Sequence, residues 1–428
     1  MTQLTHRAER LTLFRYRLLL MVAVIPVFFL TVFQAIKHKD LLYLLQRFGL
    51  GYRQNQQKGL WIHAASVGEV QAVTPLIRHL QTHYPELVIR LSTVTPTGGK
   101  IARQKLPEVQ HCYLPLDLPG MAKRFVMAIK ASCGLIMETE LWPNLYTAAQ
   151  LQNLCLITIN GRISTKTLHT PAWVKRLYRL TLPKLAAVLA KSQADAERFI
   201  ELGASANTTH TIGNLKFAIA AEFAQPEKSL TIGRPFVLAA STHKDEELRL
   251  AQLWSQLDIN DYLLVIAPRH PYRSASIVKQ LLAIDKHIAI RSKGDAVEPS
   301  TQIYLADTLG ELMALMRDAD VVFMGGSLVP VGGHNILEPA MLGKAIVFGP
   351  YMHNFADEAQ RFVGQCAALQ VTNSNDLGIQ LKMLLEDSAK RRTYGERALI
   401  LMRQDKNMVE RYVQKINQYC DLRTLTLT

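Results

Sequence analysis

The stretch FMGGSLVPVGGHNILEPAMLG, residues 323–343, decides the fold prediction for the rest of the chain. An apolar, β-rich run at Val321–Met324 ends in a pair of glycines, and a second such run follows at Ala345–Phe348. Between them, a glycine-rich loop leads into an apolar segment that starts near Asn335 and stops at Gly343, as a short helix does. The order strand, loop, helix, strand predicts a βαβ crossover and therefore a parallel sheet.

The glycine-rich loop is also a candidate phosphate site. Its glycines, Gly325, Gly326, Gly332 and Gly333, permit positive φ and close approach of a ligand to the backbone. The N-terminus of the following helix offers free N–H groups to an anion. A glycine-rich connection without a ligand is the alternative, because such patterns also match by chance. Glu338, one turn inside the helix, is placed to take a ribose diol, so we favour a nucleotide site.

Length and composition set the class of protein. A chain of 428 residues predicts two domains, and a hydrophobic content of 49% with 20% charged residues predicts a folded protein. The net charge of +14 favours an anionic partner, which is nucleic acid, anionic lipid or a phosphorylated substrate. The five cysteines are scattered and lack CxxC spacing, which indicates reduced packing residues in a cytosolic compartment.

The N-terminus carries a long apolar run. Residues 18–36, LLLMVAVIPVFFLTVFQAI, contain no charge and are long enough to cross a bilayer core as a helix, with Pro26 tolerated as a kink. Basic residues flank both ends, so the positive-inside rule gives no orientation. We therefore predict a membrane-anchor helix with a basic connector over residues 1–58. A cleaved signal peptide would need a small-x-small site, which is not found after the run, and a helix lying in one leaflet is the other alternative.

The next part of the chain predicts a doubly wound α/β domain over residues 59–228. Apolar runs that end in polar turns occur at residues 60–64, 88–93, 134–137 and 154–159. In such sheets ligands bind outside the carboxyl ends of the strands. Ser66 and Glu69 follow the first run at capping-box spacing, so Glu69 has a structural explanation as well as a functional one.

A second α/β series follows a segment without regular pattern, which predicts a second domain over residues 229–428. Its strand-like runs lie at residues 236–240, 262–267, 303–305 and 321–324. Arg269 follows one of these runs and is a natural phosphate ligand, because a guanidinium binds two phosphate oxygens at once. Two such domains, each with its loops at the strand ends, predict two Rossmann-like domains that face a cleft.

Two further sequence patterns each allow a structural and a functional explanation. Asp318-Ala-Asp320 matches the Asp-x-Asp signature of metal-dependent sugar transfer, but it joins a helix to a strand, so we interpret it as structural and expect no metal. Between Arg162 and Lys191 there are seven basic residues and no acidic one. A solvated helix face explains such a segment, whereas an upstream anchor favours a surface that contacts anionic lipid.

The polar turns together resemble the motifs of the bacterial 3-deoxy-D-manno-octulosonic acid (Kdo) transferases. The matching motifs are Ser66-Val-Gly-Glu69, Thr95-Pro-Thr-Gly-Gly99, Glu138-Thr-Glu-Leu-Trp-Pro-Asn144, Gly213-Asn-Leu-Lys-Phe217, Pro268-Arg-His-Pro271, Asp307-Thr-Leu-Gly-Glu311 and Gly332-Gly-His-Asn-Ile-Leu-Glu338. They cover roughly residues 60–355 in the family order. The resemblance implies the two-domain GT-B fold on the cytoplasmic face of the inner membrane. It also implies transfer of Kdo from CMP-Kdo to a lipid A precursor (lipid IVA), without a metal or other cofactor.

The resemblance also implies the site residues. It makes Glu69 the general base and Glu138 and Lys216 the side chains that stabilise the transition state. It implies CMP-binding residues at Pro268, Arg269, Leu309, Gly310, Glu311, Asn335, Ile336, Leu337 and Glu338. These roles suit the chemistry, because displacing CMP needs a base on the incoming hydroxyl and charge stabilisation at the leaving phosphate. One direct displacement inverts the anomeric carbon. Gly161 stands where the family pattern leads us to expect alanine.

Two alternatives remain at this point. Another GT-B enzyme, a UDP-sugar transferase or epimerase, would share the glycine-rich loop but not the motifs around Glu69 and Glu138. A basic, membrane-bound protein that binds lipid or nucleic acid would use the net charge of +14 and would lose its ligand in salt. We favour the transferase, with CMP-Kdo, the lipid A precursor and anionic lipid as partners and no nucleic acid.

Overall fold

The computed structural model describes residues 2–221, 232–257, 259–285, 287–404 and 407–426, with the side chains of residues 2–10, 219–221 and 426 left out. The described chain divides into two compact units. The first comprises the residues up to Ala221 together with those from Asn407 onwards, and the second lies between them. Each unit is described by itself.

The first unit is built on a parallel sheet of seven strands in the order β3-β2-β1-β4-β5-β6-β7. The strands are β1 Gly59–His63, β2 Ile89–Thr93, β3 Gln110–Tyr113, β4 Ala131–Met137, β5 Cys155–Gly161, β6 Ala187–Ala190 and β7 Thr209–Thr211. The strand order reverses between β1 and β4, and the carboxyl ends beside such a switch point are where doubly wound sheets bind ligands. The predicted doubly wound sheet is confirmed, although β3 and β6 were not predicted.

Helices cover both faces of this sheet. They are α1 Thr2–His38, α2 Leu41–Arg47, α3 Val67–His83, α4 Pro96–Lys105, α5 Pro119–Ile129, α6 Pro143–Leu151, α7 Thr165–Leu168, α8 Ala172–Thr181 and α9 Gln193–Glu201. Side chains alternate between the two faces of a strand, so Leu60 and Ile62 pack with α3 and α4 while Trp61 packs with α5 and α6. The central strand β1 is therefore buried along its whole length.

The second unit holds another parallel sheet of seven strands, in the order β10-β11-β9-β8-β12-β13-β14. The strands are β8 Phe236–Thr242, β9 Leu263–Pro268, β10 Ile288–Ile290, β11 Ile303–Leu305, β12 Val321–Met324, β13 Ala345–Phe348 and β14 Leu369–Gln370. The helices are α10 Glu246–Gln256, α11 Ser274–Leu281, α12 Leu312–Asp318, α13 Leu337–Met341, α14 Ala356–Gly364, α15 Ser374–Glu386 and α16 Ser388–Gln404. The predicted βαβ crossover is β12-α13-β13, and both strands pair in parallel at the predicted residues.

Two local predictions in this unit have a clear outcome. Helix α13 begins at Leu337, two residues after the start predicted near Asn335, and the Asn335 side chain accepts a hydrogen bond from Leu337 N at 3.2 Å. Asp320 pairs with Arg391 at 3.2 Å at the joint between α12 and β12. The structural interpretation of the Asp-x-Asp pattern agrees with this ion pair.

The predicted second domain of residues 229–428 is wrong at its C-terminal end. The last helix, α17 Met408–Asn417, belongs to the first unit. Its buried side chains Val409, Tyr412, Val413 and Ile416 join the core that lies under α3. The predicted boundary between residues 228 and 229 falls outside the described residues. The predicted anchor segment, residues 1–58, also packs with the first unit rather than standing apart from it.

Helix α1 carries the apolar N-terminal run. An 18-residue window within Leu11–His38 has a mean hydropathy of 2.5, and among the described residues this is the helix long and apolar enough to cross a membrane by length and composition. Only 11% of that window is buried within the protein. Length and composition alone do not show how such a helix meets a membrane.

Candidate active site

A carboxylate at the start of α3 is buried beside the carboxyl end of β1. Ser66 Oγ accepts a hydrogen bond from Glu69 N at 3.4 Å and so caps the helix. In return, the Glu69 carboxylate accepts hydrogen bonds from Ser66 Oγ at 2.9 Å and from Ala65 N at 2.8 Å. Ser66 and Glu69 therefore bond to each other as their capping-box spacing predicts, although the carboxylate accepts from Ala65 N in place of the Ser66 N–H, and these bonds fix a carboxylate that is only 9% exposed.

The environment of Glu69 moves its ionisation to neutral pH. The pKa of Glu69 is raised to about 7, mainly by burial and also by the negative charge of Glu138. The hydrogen bonds from Ala65 and Ser66 and the positive charge of Lys216 oppose this rise in pKa. A carboxyl group that exchanges its proton near neutral pH is suited to general base catalysis.

Glu138 and Lys216 lie together at the same end of the sheet. Lys216 Nζ stands 3.8 Å from Glu138 Oε1. Glu138 directly follows β4, and its N–H donates to Ile159 O at 3.0 Å. Its backbone has a φ of 55°, a conformation that is strained for a side-chain-bearing residue and that clusters at functional sites. The structure thus places all three side chains predicted to be catalytic, Glu69, Glu138 and Lys216, in one cluster.

The segment that carries Lys216 is held by a hydroxyl from α17. Asn160, at the end of β5, accepts a hydrogen bond from Leu215 N through its side-chain oxygen at 2.9 Å. Tyr412 OH accepts from Asn160 N at 3.2 Å and donates to Gly213 O at 2.8 Å, inside the core. No local sequence pattern indicates this role for Tyr412, because it lies 252 positions from Asn160. One buried hydroxyl therefore joins the two turns that position Lys216.

A third carboxylate, Glu140, was not predicted. Burial raises the pKa of Glu140 to about 7, and the charges of Glu69 and Glu138 act in the same direction. The Trp142 indole and the Arg47 guanidinium lower that pKa. Its place two residues after Glu138, in the same motif, was the available signal. The cluster therefore holds two carboxyl groups, Glu69 and Glu140, that titrate in the same range.

In the second unit, Arg269 follows β9 and is exposed beside a group of histidines. His243 Nε2 lies 2.8 Å from His334 Nε2 with the rings stacked, and His270 stands edge-on to His243 at 5.8 Å. Burial lowers the pKa of His334 to about 4, and the charge of Arg269 adds to this effect. The pairing of His243 with His334 was not predicted, because the two residues are 91 positions apart. Arg269 supplies the fixed positive charge at this strand end.

The glycine-rich loop differs from its prediction. The carboxylate of Glu246, at the start of α10, accepts hydrogen bonds from Gly326 N at 2.6 Å, Ser327 N at 3.0 Å and Leu328 N at 2.9 Å. A protein carboxylate thus occupies the backbone donors of this part of the loop. A Cβ at Gly325 would stand 2.6 Å from a carbonyl oxygen of β8, so this glycine serves close backbone packing and not ligand approach.

The residues predicted to bind CMP lie at or after the ends of three strands of this sheet, the adjacent β11 and β9 and also β12, which β8 separates from β9. Pro268 and Arg269 lie at the end of β9, Leu309, Gly310 and Glu311 after β11, and Asn335, Ile336, Leu337 and Glu338 after β12. Leu309 is 82% exposed, whereas Ile336 and Leu337 are buried and offer a ligand only their backbone. Arg291 binds Glu311 through two hydrogen bonds of 2.7 and 3.1 Å and holds the pKa of that carboxyl low. Asn335 Nδ2 donates to Glu338 Oε1 at 3.2 Å, so both side chains are already oriented.

A metal site would need several donor side chains grouped together. Within the part of the chain that the structure describes, no three His, Cys, Asp or Glu side chains are grouped so as to hold a metal ion. The absence of a metal requirement therefore stays a prediction. Positive charge without a metal is available from Lys216 in the first unit and from Arg269 in the second.

Comparison with known proteins shows to which family the chain belongs. Residues 43–219 match the family model described as 3-Deoxy-D-manno-octulosonic-acid transferase (kdotransferase). The 3-deoxy-D-manno-octulosonic acid transferase of Haemophilus influenzae is 32% identical over 375 residues, which cover 85% of this chain and 88% of that protein. The chain belongs to the Kdo transferase family. The Kdo transferase of Rickettsia bellii is 31% identical and covers 92% of this chain and 97% of its own length. The chain is therefore a glycosyltransferase that transfers Kdo in lipopolysaccharide synthesis.

Solved structures agree with the two-sheet architecture. The UDP-GlcNAc 2-epimerase of Neisseria meningitidis bound to UDP-GlcNAc matches with a TM-score of 0.59 at 14% identity, over 85% of this chain and 100% of that chain. At this identity the likeness concerns the fold alone, which for this Kdo transferase is the GT-B arrangement of two parallel sheets. The C-terminal CMP-Kdo binding domain of WaaA from Acinetobacter baumannii is 31% identical and covers 39% of this chain and 87% of its own, with a TM-score of 0.37.

The Tyr412 hydroxyl provides a test of how Lys216 is positioned. Tyr412→Phe keeps the buried ring but removes the hydrogen bonds to Asn160 and Gly213. We expect the free energy of unfolding to fall by about 1–3 kcal/mol, the cost of buried groups left unpaired. We also expect kcat for Kdo transfer to fall while KM for the donor stays unchanged, measured from initial rates and denaturant unfolding.

Tyr419→Phe is the matched control. Its hydroxyl lies 2.7 Å from His210 Nε2, away from the carboxylates, so its loss should leave kcat unchanged. If both variants transfer Kdo at the rate of the original protein, the Tyr412 hydroxyl does not position Lys216.

Proposed function

We propose that this protein transfers Kdo from CMP-Kdo to a hydroxyl of a lipid A precursor, lipid IVA, with inversion at the anomeric carbon and without a metal. The observation that carries the proposal is the buried carboxylate of Glu69, with a pKa raised to about 7, beside Glu138 and Lys216. Membership of the Kdo transferase family supports the nature of the transferred sugar. The acceptor, the stereochemistry and the residue roles are the proposal's own.

In this reaction Glu69 accepts the proton of the acceptor hydroxyl while that hydroxyl attacks Kdo. The carboxylate oxygens each accept one hydrogen bond from the protein, from Ala65 N and Ser66 Oγ, which leaves further lone pairs for the acceptor hydroxyl. As the hydroxyl oxygen bonds to the anomeric carbon of Kdo, its proton passes to Glu69. The bond from that carbon to the CMP phosphate breaks on the opposite side, so one displacement inverts the centre.

Positive charge stabilises the developing anions. Lys216 is oriented by its contact with Glu138 and is positioned to stabilise negative charge near the reacting centre. In the second unit, Arg269 offers a forked donor to the CMP phosphate, and its exposure leaves it accessible. The Glu338 carboxylate, which already accepts from Asn335, is a suitable acceptor for the ribose hydroxyls. No other cofactor enters these steps.

The acceptor and the location are proposed from the N-terminal part of the chain. Helix α1 offers a long apolar surface, and the neighbouring α8 carries Lys175, Arg176 and Arg179 without an acidic residue. A lipid acceptor and anionic headgroups suit such a surface. We propose that the protein acts at the inner membrane with its catalytic residues on the cytoplasmic face.

The direct test is the mass of the product formed from CMP-Kdo and a tetra-acylated lipid A precursor. We expect a mass increase that corresponds to added Kdo, with CMP released. An unchanged acceptor, together with transfer of Kdo to a different hydroxyl compound, would contradict the choice of acceptor while leaving the family activity in place.

Glu69→Gln separates the catalytic role of Glu69 from its structural role. A glutamine retains the capping bonds, with its oxygen accepting from Ala65 N and its amide donating to Ser66 Oγ. It does not accept a proton at neutral pH. We therefore expect an unchanged Tm and CMP affinity with turnover lowered on the order of 10² to 10⁴-fold. A folded variant with near-original turnover would remove Glu69 as the base, and Glu138 would then be the candidate.

The pH dependence of transfer follows from the pKa of Glu69. The base must be ionised, so the rate should rise with pH through about 7, the pKa of Glu69. Glu138→Gln removes a negative charge that raises this pKa, so the acid limb of the profile should move to lower pH. Lys216→Met removes a positive charge that lowers the pKa, so the limb should move to higher pH. Profiles of kcat/KM against pH, which report ionisation in the free enzyme, would show these opposite shifts even where the maximal rate falls, and shifts in the same direction would contradict this assignment.

The donor site is tested by the affinity for CMP. Arg269→Ala removes a charge-assisted contact to the phosphate, and we expect binding to weaken by roughly 2 kcal/mol, the scale of hydrogen bonds to charged groups. Glu338→Ala should also weaken binding, through the ribose. Arg392→Ala, an exposed arginine on α16, is the control and should bind CMP normally. Unchanged calorimetric affinity in both the Arg269 and Glu338 variants would refute the assignment of CMP to this unit.

A further inference from the structure

Helix α1 contacts the rest of the first unit near both ends of its apolar run, residues 18–36. Two residues before that run, Tyr16 OH donates to Asp117 Oδ2 at 2.9 Å. Towards its end, Ala35 is buried in a cluster with Tyr43 and Tyr113. Asp40, two residues beyond the helix, accepts a hydrogen bond from Tyr113 OH at 2.6 Å.

The separation of these contacts is the decisive quantity. Tyr16 and Ala35 are nineteen positions apart, which is about 28 Å along a straight helix. That length is close to the thickness of the bilayer core, about 30 Å. A helix that crossed the core would carry Tyr16 to the side opposite Ala35, yet both ends contact the segment that contains Tyr113 and Asp117.

The contact at Tyr16 belongs to a built network. Asp117 is buried and accepts hydrogen bonds from Asn144 N at 3.0 Å and Leu145 N at 2.7 Å, at the start of α6. Arg17 Nε donates to Asn144 Oδ1 at 2.9 Å. Tyr16, through Asp117, and Arg17, directly, therefore link α1 to the start of α6, the helix that follows the segment containing Glu138.

The two sides of α1 differ in how far their side chains are exposed. The outward side exposes large apolar side chains at spacings of three and four residues, namely Leu11, Phe14, Leu18, Val22, Ile25, Phe29, Phe33 and Ile36. The inward side is buried or half-buried, and it holds the polar Thr12, Tyr16 and Thr31 together with apolar side chains such as Leu20, Val24 and Val27. The exposed side is therefore the one available to lipid, and the inward side is the one that packs on the protein.

Neighbouring elements extend the outward surface. Leu41, Leu42 and Leu45 of α2 are exposed, as is Leu50 just after it, so apolar surface continues past the end of α1. Helix α8 packs against α1 and exposes Arg176 and Arg179. Apolar side chains beside basic ones match the acyl region and the anionic headgroups of a single leaflet.

We propose that α1 lies in the plane of one leaflet, docked along the first unit, and does not cross the bilayer. The occupant of its outward side is then the acyl region of that leaflet. The start of α1 and the carboxylate cluster of the first unit are then on the same side of the membrane. This inference rests on the membrane location proposed above.

The first experiment tests the side on which the N-terminus lies. The full chain carries an epitope, joined through a protease site, ahead of its first residue, and is expressed in a Gram-negative host. In washed inside-out vesicles, protease added without detergent should remove the epitope completely. An epitope protected until detergent is added would overturn the in-plane helix alone, whereas absence of the protein from the vesicles would overturn the membrane location as well.

The second experiment tests the docking of α1 in the membrane. A photoreactive p-benzoylphenylalanine replaces Tyr16 in one variant and Phe14, which is 60% exposed on the outward side, in a matched control. After irradiation of membranes, mass spectrometry should find the probe at position 16 joined to peptides that contain Asp117 or Asn144. The probe at position 14 should be joined to lipid. Lipid adducts at both positions, with no internal cross-link, would overturn the proposal.

Discussion

Parallel strand pairing is the constraint on which the rest of this structure depends. Every pair of neighbouring strands in both described sheets is parallel, so all carboxyl ends of a sheet meet at one edge. Polar turns that are far apart in the sequence are thereby brought together. In the first sheet this edge gathers Glu69, Glu138 and the segment of Lys216, and in the second it gathers Arg269 with the loop after β12. Chemistry concentrates at these edges because the strands themselves are buried and apolar.

Holding a carboxylate there has an energetic cost. Raising the pKa of Glu69 from its ordinary value of 4.5 to about 7 corresponds to about 3 kcal/mol against its ionised form. The folded protein then binds this proton more tightly than the unfolded chain, so the free energy of unfolding falls as pH rises from 4.5 towards 7. The hydrogen bonds from Ala65 and Ser66 offset part of that cost. The capping bonds and the catalytic role are thus compatible, since the cap holds in place the carboxylate that is to accept the acceptor's proton.

The sequence predicted what local pattern determines. Strands β11, β12 and β13 were placed at the residues the structure shows, because each is a short apolar run bounded by polar residues or glycines. Strand β3 was missed because Gln110 and His111 make it too polar for a buried strand, a pattern that an edge position permits. The contacts of Glu246 with the glycine loop and of Tyr412 with Asn160 join residues at least 80 positions apart, and local pattern carries no information on such pairs. For the same reason the assignment of α17 to the second domain was wrong.

The return of α17 to the first unit also bears on how the protein is made. Ribosomes deliver the chain from its N-terminus at about 5–20 residues per second, and domains fold as they emerge. The first sheet is synthesised before residue 212, but Tyr412 and Ile416, which complete its core, arrive only after the whole second unit. The surface of the first unit that α17 covers therefore stays exposed for about 10–40 s, the time that synthesis of the second unit takes at these rates. During that interval the surface is exposed to chaperones and to other nascent chains. Termination or stalling of translation near residue 400 would leave the first unit without the helix that completes its core.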